Sequence, residues 1–146
     1  MKPFVIALSA TLLMGTAALS QDTPAPEDAK VYFVNLADGD TVTSPVTIIF
    51  GLENMGVAPA GTEKENTGHH HLLLNRPPLG EGEEGAEELE YGLPADDNHI
   101  HFGGGQTQVT LDLPAGQHTM QLVMGDLNHV PHATPVTSDV ITITVE

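Results

Sequence analysis

Histidine is the residue type through which this chain could do chemistry. The sequence has eight histidines and no cysteine. Neutral imidazole binds zinc and copper well, and a chain without thiols must build any metal site from His, Met, Asp or Glu. The histidines all fall within one stretch of the sequence: His69, His70, His71, His99, His101, His118, His129 and His132. Whether they form one site depends on the elements that position them.

Three short histidine motifs have spacings that suit a shared ion. Residues i and i+2 of a β-strand point to one side, so His69 and His71 share a face, and His99 and His101 do likewise. The third pair lies three residues apart in a short loop that a proline stiffens. We predict these residues as the metal ligands: His69, His71, His99, His101, His129 and His132. One four-coordinate ion needs fewer imidazoles, so some of these residues must be structural, orient a ligand or belong to another site.

Each motif also has a structural interpretation. A His-x-His pair can be held by hydrogen bonds, and a His-x-x-His pair in a loop can cap turns. His70 shares its strand face with Leu72 and Leu74, and we predict that it is structural. His118 begins a strand whose face carries methionine and leucine, which predicts a histidine at the edge of the core. Asp126, just before the loop with the third pair, is a candidate for orienting an imidazole.

Short β-strands must position these histidines. Residues 31–36 and 46–50 are β-branched and aromatic runs, and residues 109–113 alternate between apolar and polar side chains. No long pattern of period 3.6 follows residue 20. We predict an all-β fold, an immunoglobulin-like antiparallel sandwich of six to seven strands with a long acidic loop. The loop covers residues 79–97, and one helical turn is allowed around Gly85–Tyr91.

In this sandwich the histidine motifs meet at one end. We assign strand B to residues 46–50, C to 69–75, E to 99–113, F to 118–124 and G to 139–145. The loops B–C, D–E and F–G emerge at one pole of an immunoglobulin-like sandwich. All three motifs lie in or beside these loops, whereas His118 falls at the opposite pole. The topology therefore predicts that the other seven histidines converge.

The charge balance narrows the choice of partners. Twenty acidic residues against four basic ones give a formal net charge of −16 with neutral histidines. The phosphate backbone of a nucleic acid would be repelled by such a chain, so no nucleic acid is expected. Metal cations and basic proteins are favoured, although solubility alone explains most of the charge.

The N-terminal segment has the pattern of an export signal. Lys2 precedes an apolar stretch from Phe4 to Leu19, and small residues precede a cleavage site between Ser20 and Gln21. The stretch is short for a bilayer span, so the chain should not span a membrane after cleavage. We predict a signal peptide at residues 1–20, a flexible leader at 21–30 and a single β-sandwich domain at 31–146. The expected location is the bacterial periplasm or the medium.

Several segments resemble a family of small secreted bacterial domains of unknown function. The matching segments are "GHHHLLLN", "HFGGGQTQVTLDLPAGQHTMQLVMGDLNHVPH" and "SDVITITV". Family members carry a Gly-His-His-His-Leu-Leu segment, an Ile-His-Phe-Gly-x-Gly-Gln-Thr segment, a Pro-Gly-x-His-Thr-Leu turn and a Gly-Asp-x-x-His-Val-Pro-His segment. This chain departs at Asn75 and Ala115, neither of which replaces a histidine. The resemblance implies a compact β domain and supplies no activity.

A second, local resemblance concerns copper. The segment "NHIHFGG" is similar to the His-x-His-x-Phe-Gly strand of copper/zinc superoxide dismutases, which ligate copper through that histidine pair. It supports His99 and His101 as ligands. Dismutase activity is not implied, because the chain has no disulfide and only Arg76 is available as a substrate-guiding arginine.

The sequence leaves three functions open. The leading hypothesis is a periplasmic protein that binds copper or zinc for delivery, storage or buffering. Imidazole ligands favour Cu(II) by affinity, whereas zinc is favoured by availability, so both metals stay open. The alternative is a non-enzymatic interaction module of the cell envelope, with a protein partner and a structural hydrogen-bond network of histidines. The third is a metal-assisted enzyme, which would need an open coordination position on the ion.

Overall fold

The structure is a computed structural model that describes residues 23–146, so the predicted signal peptide and its cleavage site lie outside the described residues. The elements follow one another in this order: β1 Lys30–Phe33, β2 Thr41–Val42, β3 Val46–Glu53, β4 Gly56–Val57, β5 Thr67–Leu74, α1 Gly82–Tyr91, β6 His99–His101, β7 Gln108–Leu111, β8 Gly116–Gly125 and β9 Ile141–Val145.

Two sheets enclose the core. The smaller sheet is antiparallel and has the order β1-β3-β7. The larger sheet has the order β2-β9-β8-β5-β4, and β6 also pairs with β5. Alternate residues of both sheets point inward, among them the fully buried Ile48, Leu72, Leu122 and Ile143. The prediction of an all-β sandwich is confirmed.

The long strands pair as the sequence assignment requires. The predicted strand B is β3 of the smaller sheet, and the predicted strands C, F and G are the neighbours β5, β8 and β9 of the larger one. The long strands pair antiparallel. The two-residue strands β2 and β4 instead pair parallel to β9 and β5, so the larger sheet is mixed.

The predicted strand E, residues 99–113, is divided between the sheets. Its first part is β6, which pairs with β5, and its last part is β7, which pairs with β3. Residues 103–105 between them are glycines, and Gly105 has a φ of +79°, a conformation that ends a strand. The crossing places β6, with His99 and His101, directly beside β5.

The acidic segment is an ordered cover on the larger sheet. Its helix α1 has ten residues, which is longer than the single turn that the sequence suggests. Leu79 and Leu93, on either side of α1, pack with Leu73 of β5 and Val123 of β8. Within residues 23–146, no helix has the length and apolar character to cross a membrane.

The described part of the leader, residues 23–29, contacts the domain. The Thr23 hydroxyl donates a hydrogen bond of 2.6 Å to Asp126 Oδ2, and the Thr23 carbonyl accepts one of 2.9 Å from the Ala133 backbone. Ala25 and Ala29 pack against the core. This part of the leader therefore lies beside the loop between β8 and β9.

Candidate metal centre

Strand β5 presents histidines to both faces of the larger sheet. His70 lies on the inner face with Leu72, and its ring centroid is 5.1 Å from that of Phe50. His69 and His71 lie on the outer face with Leu73, in agreement with the alternation expected from the sequence. All three histidines are fully buried. The triplet is therefore divided between the core and the outer face.

Strand β6 adds two histidines to the outer face. In its antiparallel pairing with β5, His101 lies opposite His71, and His99 lies opposite Leu73. Directly opposite residues of an antiparallel pair project to the same face. The ring centroids of His71 and His101 are 5.0 Å apart. This pairing follows from the crossing at residues 103–105 rather than from a long strand E.

The loop between β8 and β9 supplies His129. Asp126, which is buried, accepts hydrogen bonds at Oδ1 from the backbone of Asn128 at 2.8 Å and of Val130 at 3.0 Å. His129 has a φ of +67° and donates its own N–H to the Asp126 carbonyl. The Leu93 backbone donates to the His129 carbonyl at 2.7 Å. Asp126 thus shapes the loop that carries His129 and does not contact its ring.

Four imidazoles converge on the outer face. His69, His71, His101 and His129 each offer one ring nitrogen, and these four atoms lie within 4.8 Å of one another. His69 Nε2 is 3.0 Å from His71 Nε2 and 3.1 Å from His129 Nδ1. The ring centroids of His101 and His129 are 4.5 Å apart. This arrangement, the four-histidine cluster, contains four of the six predicted ligands.

Two glycines leave room for rings of the cluster. A Cβ atom on Gly125 would lie 2.7 Å from His71 Nε2, and one on Gly103 would lie 2.6 Å from His101 Nε2. Ordinary van der Waals contact begins at 3.4 Å, so any other residue at either position would displace the ring. The residue pattern alone did not point to these glycines, although a glycine in or beside a strand often marks a close approach.

Burial favours the neutral form of three cluster imidazoles, those of His69, His71 and His101. Burial first, and then the neighbouring imidazoles, lower the pKa of His71 to about 2. The pKa of His69 falls to about 4 for the same two reasons, against the opposing effect of Asp126. Burial also lowers the pKa of His101, with His129 as the second cause. A neutral imidazole has a free lone pair at pH 7, which is the form that binds metal.

The structure places His99 and His132 outside the cluster. His99 Nδ1 lies 3.1 Å from Arg76 Nη1, and its ring is buried beside that of His71. Burial, followed by the charge of Arg76, lowers the pKa of His99 to about 4. His132 Nε2 lies 3.4 Å from the Thr67 carbonyl. Both residues therefore lie next to the cluster without completing it.

His118 lies apart from the cluster, as its strand position predicts. Its Nε2 donates to the Pro114 carbonyl at 2.8 Å, and its Nδ1 accepts from the Asn75 amide at 3.0 Å. Both ring nitrogens are thus used within the fold. Arg76, the one candidate for a substrate-guiding arginine, is paired with Glu88 and turned toward His99.

Comparisons with known proteins are consistent with the resemblance seen in the sequence. A search of curated proteins and a search of solved structures found no match. Residues 48–146 match a family model described as a domain of unknown function, DUF4399. The matched range contains all eight histidines. The chain therefore belongs to the DUF4399 family.

Proposed function

We propose that this protein binds a metal ion, Cu(II) or zinc, through His69, His71, His101 and His129. The observation that carries the proposal is the convergence of four ring nitrogens, from two strands and a loop, within 4.8 Å. No thiolate or carboxylate belongs to this set. An all-imidazole set suits zinc and copper among the common metals.

A hydrogen-bond network accounts for only part of the cluster. An imidazole nitrogen carries either one proton or one in-plane lone pair. His69 Nε2 has two close neighbours, His71 Nε2 and His129 Nδ1, and can form a well-directed hydrogen bond with only one of them. An ion at the centre instead uses every lone pair.

The distances fit a coordination polyhedron. For metal–nitrogen distances of about 2.0–2.1 Å, neighbouring nitrogens lie about 2.8–3.0 Å apart in a square plane and about 3.3–3.4 Å apart in a tetrahedron. The two short separations, 3.0 and 3.1 Å, lie at or just above the square-planar range and below the tetrahedral one. Two nitrogens on one ion lie at most about 4.2 Å apart. A pair at the 4.8 Å limit of the cluster would therefore close by about 0.6 Å as a trans pair in a square plane and by about 1.4 Å around a tetrahedral ion.

Delivery, storage or buffering of the ion in the bacterial periplasm is the role we propose for the site. His101 and His129 are half-buried, whereas His69 and His71 are fully buried. An ion can therefore reach the cluster from one side and be held firmly on the other. The formal net charge of −16 concentrates cations around the protein, and the pattern of residues 1–20 supports export.

Calorimetric titration of the metal-free protein with Cu(II) and with zinc at pH 7.5 tests the proposal. We expect one ion per chain and a Kd below about 1 μM, which corresponds to about −8 kcal/mol. A His69→Ala, His71→Ala double variant should lose this binding. A His118→Asn variant, at the other end of β8, should retain it. Binding no tighter than micromolar in the unaltered protein would refute the metal site.

The interaction module stays as a second candidate because His69, His71 and His129 approach each other at hydrogen-bond distances. In that case the histidines fix the loop between β8 and β9 for a protein partner. Thermal unfolding separates the two functions. A network predicts that His69→Ala lowers Tm and that zinc has no effect, whereas a metal site predicts that zinc raises Tm.

A further inference from the structure

Beside the four-histidine cluster, Arg76 and Glu88 form a buried ion pair that contacts His99. Arg76 Nη1 lies 2.6 Å from Glu88 Oε1, and Arg76 Nη2 donates to Glu88 Oε2 at 2.8 Å. The two side chains are only 11% and 7% exposed. Such a two-point contact holds a guanidinium in a defined orientation. Arg76 Nη1 is at the same time 3.1 Å from His99 Nδ1.

This contact defines the tautomer of His99. A guanidinium can only donate hydrogen bonds, so His99 Nδ1 accepts and the ring proton is on Nε2. A coordinating nitrogen needs a free lone pair. The lone pair of Nδ1 is directed at Arg76, and Nε2 carries the proton. His99 therefore has no lone pair to offer, although its ring centroid is 5.4 Å from that of His71.

We propose that Arg76, held by Glu88, is a positioning residue that keeps His99 out of the ligand set. The site is thereby limited to four protein ligands, all of them imidazoles. This inference rests on the proposed function, because it concerns the ligands of that metal site.

Removal of the guanidinium should reverse the tautomer. Glu88 Oε1 lies 3.8 Å from His99 Nδ1, close enough to accept a hydrogen bond from an Nδ1–H group after a small shift. A carboxylate in this position is the usual partner of a metal-bound imidazole. The lone pair would then be on Nε2, and His99 would become available as a fifth ligand.

An Arg76→Met variant of the full chain, loaded with Cu(II), tests this consequence. We expect its electron paramagnetic resonance and visible spectra to differ from those of the unaltered protein, and its Kd for Cu(II) to fall about tenfold. Adding His99→Phe should restore the spectra of the unaltered protein. Lys64→Met, which removes one exposed positive charge, should leave them unchanged. Identical spectra for Arg76→Met and the unaltered protein would overturn the proposal.

A second measurement needs no variant, because a buried Glu88 without Arg76 can prevent folding. Long-range ¹H–¹⁵N NMR spectra of the unaltered protein report the tautomer of each imidazole, with and without zinc. We expect zinc to shift resonances of the four cluster histidines, while His99 keeps its proton on Nε2. Loss of that proton on zinc binding would contradict the role of Arg76. If no imidazole responds to zinc, the metal site itself is refuted, and this inference with it.

Discussion

Replacing Gly103 by alanine should remove His101 from the four-histidine cluster without deleting an imidazole. The added Cβ would meet His101 Cε1 and would lie 2.6 Å from His101 Nε2. Ordinary contact begins at 3.4 Å, so Nε2 must move by about 0.8 Å or more. Metal–ligand distances vary by only about 0.2 Å, so a displacement of this size breaks the coordination.

The expected loss is one ligand out of four. We expect the Kd for zinc or Cu(II) to rise about 10- to 100-fold, which is about 1.4–2.7 kcal/mol. The metal-free protein should unfold within about 1 kcal/mol of the unaltered protein, because Gly103 does not have a positive φ and the half-buried ring of His101 can turn toward solvent. Competition with a coloured chelator at pH 7.5 measures the first quantity, and urea unfolding the second.

The neighbouring Gly104 provides a matched control. The three heavy atoms nearest to a Cβ on Gly104 all belong to the exposed side chain of Gln106, at 3.1–3.2 Å, and this side chain can move. Gly104→Ala should therefore bind metal like the unaltered protein. Equal binding by Gly103→Ala and the unaltered protein, or an equal loss in both variants, would refute the assignment of His101 as a ligand.

Three further predictions concern the metal-free fold, the loop of His129 and the bound ion. The pKa of His99 is about 4 in the folded protein and 6.5 when unfolded, so the unfolded chain binds more protons below pH 6.5 and stability falls as pH decreases toward 4. Through His99 alone, the free energy of unfolding should be about 2 kcal/mol lower at pH 5 than at neutral pH. Urea unfolding measures this difference, and a free energy that stays constant from pH 6.5 to 5 would contradict the prediction. Asp126→Ala removes the acceptor Oδ1 of the Asn128 and Val130 amides. The variant should therefore bind zinc at least about tenfold more weakly. An unchanged Kd would show that the loop keeps its shape without the carboxylate. Zinc at 100 times its Kd should stabilise the protein by about 2.7 kcal/mol, and a Tm that does not respond to zinc would count against the site.

Much of the fold follows from residue pattern alone. The alternation along β5 separates His70, which faces Phe50 in the core, from His69 and His71 on the outer face. This result depends only on the period of two in a strand. The convergence of β5 and the loop between β8 and β9 also follows, because it depends on strand order and direction rather than on side-chain detail.

The division of the predicted strand E is where the pattern was insufficient. The histidines of β6 read as the start of one strand running to residue 113, and only the glycines at 103–105 mark the crossing between sheets. The contact of Arg76 with His99 also could not be predicted from the sequence. It joins residues 23 positions apart through the acidic segment, whose charges alone predict only a solvated loop. Separating His99 from the other predicted ligands therefore required three-dimensional placement.

The position of the cluster on the sheet supports a functional role for its histidines. On the same outer face, Leu73 and Val123 are covered by Leu79 and Leu93. This neighbouring part of the face is therefore buried by apolar contacts. At His69 and His71 the chain instead buries imidazoles whose Nδ1 atoms have no hydrogen-bond partner within residues 23–146. A buried polar atom without a partner is unfavourable by about 1–3 kcal/mol. Unfavourable burial of this kind is expected where a residue serves function rather than folding. Bound metal would stabilise the folded state that contains these histidines.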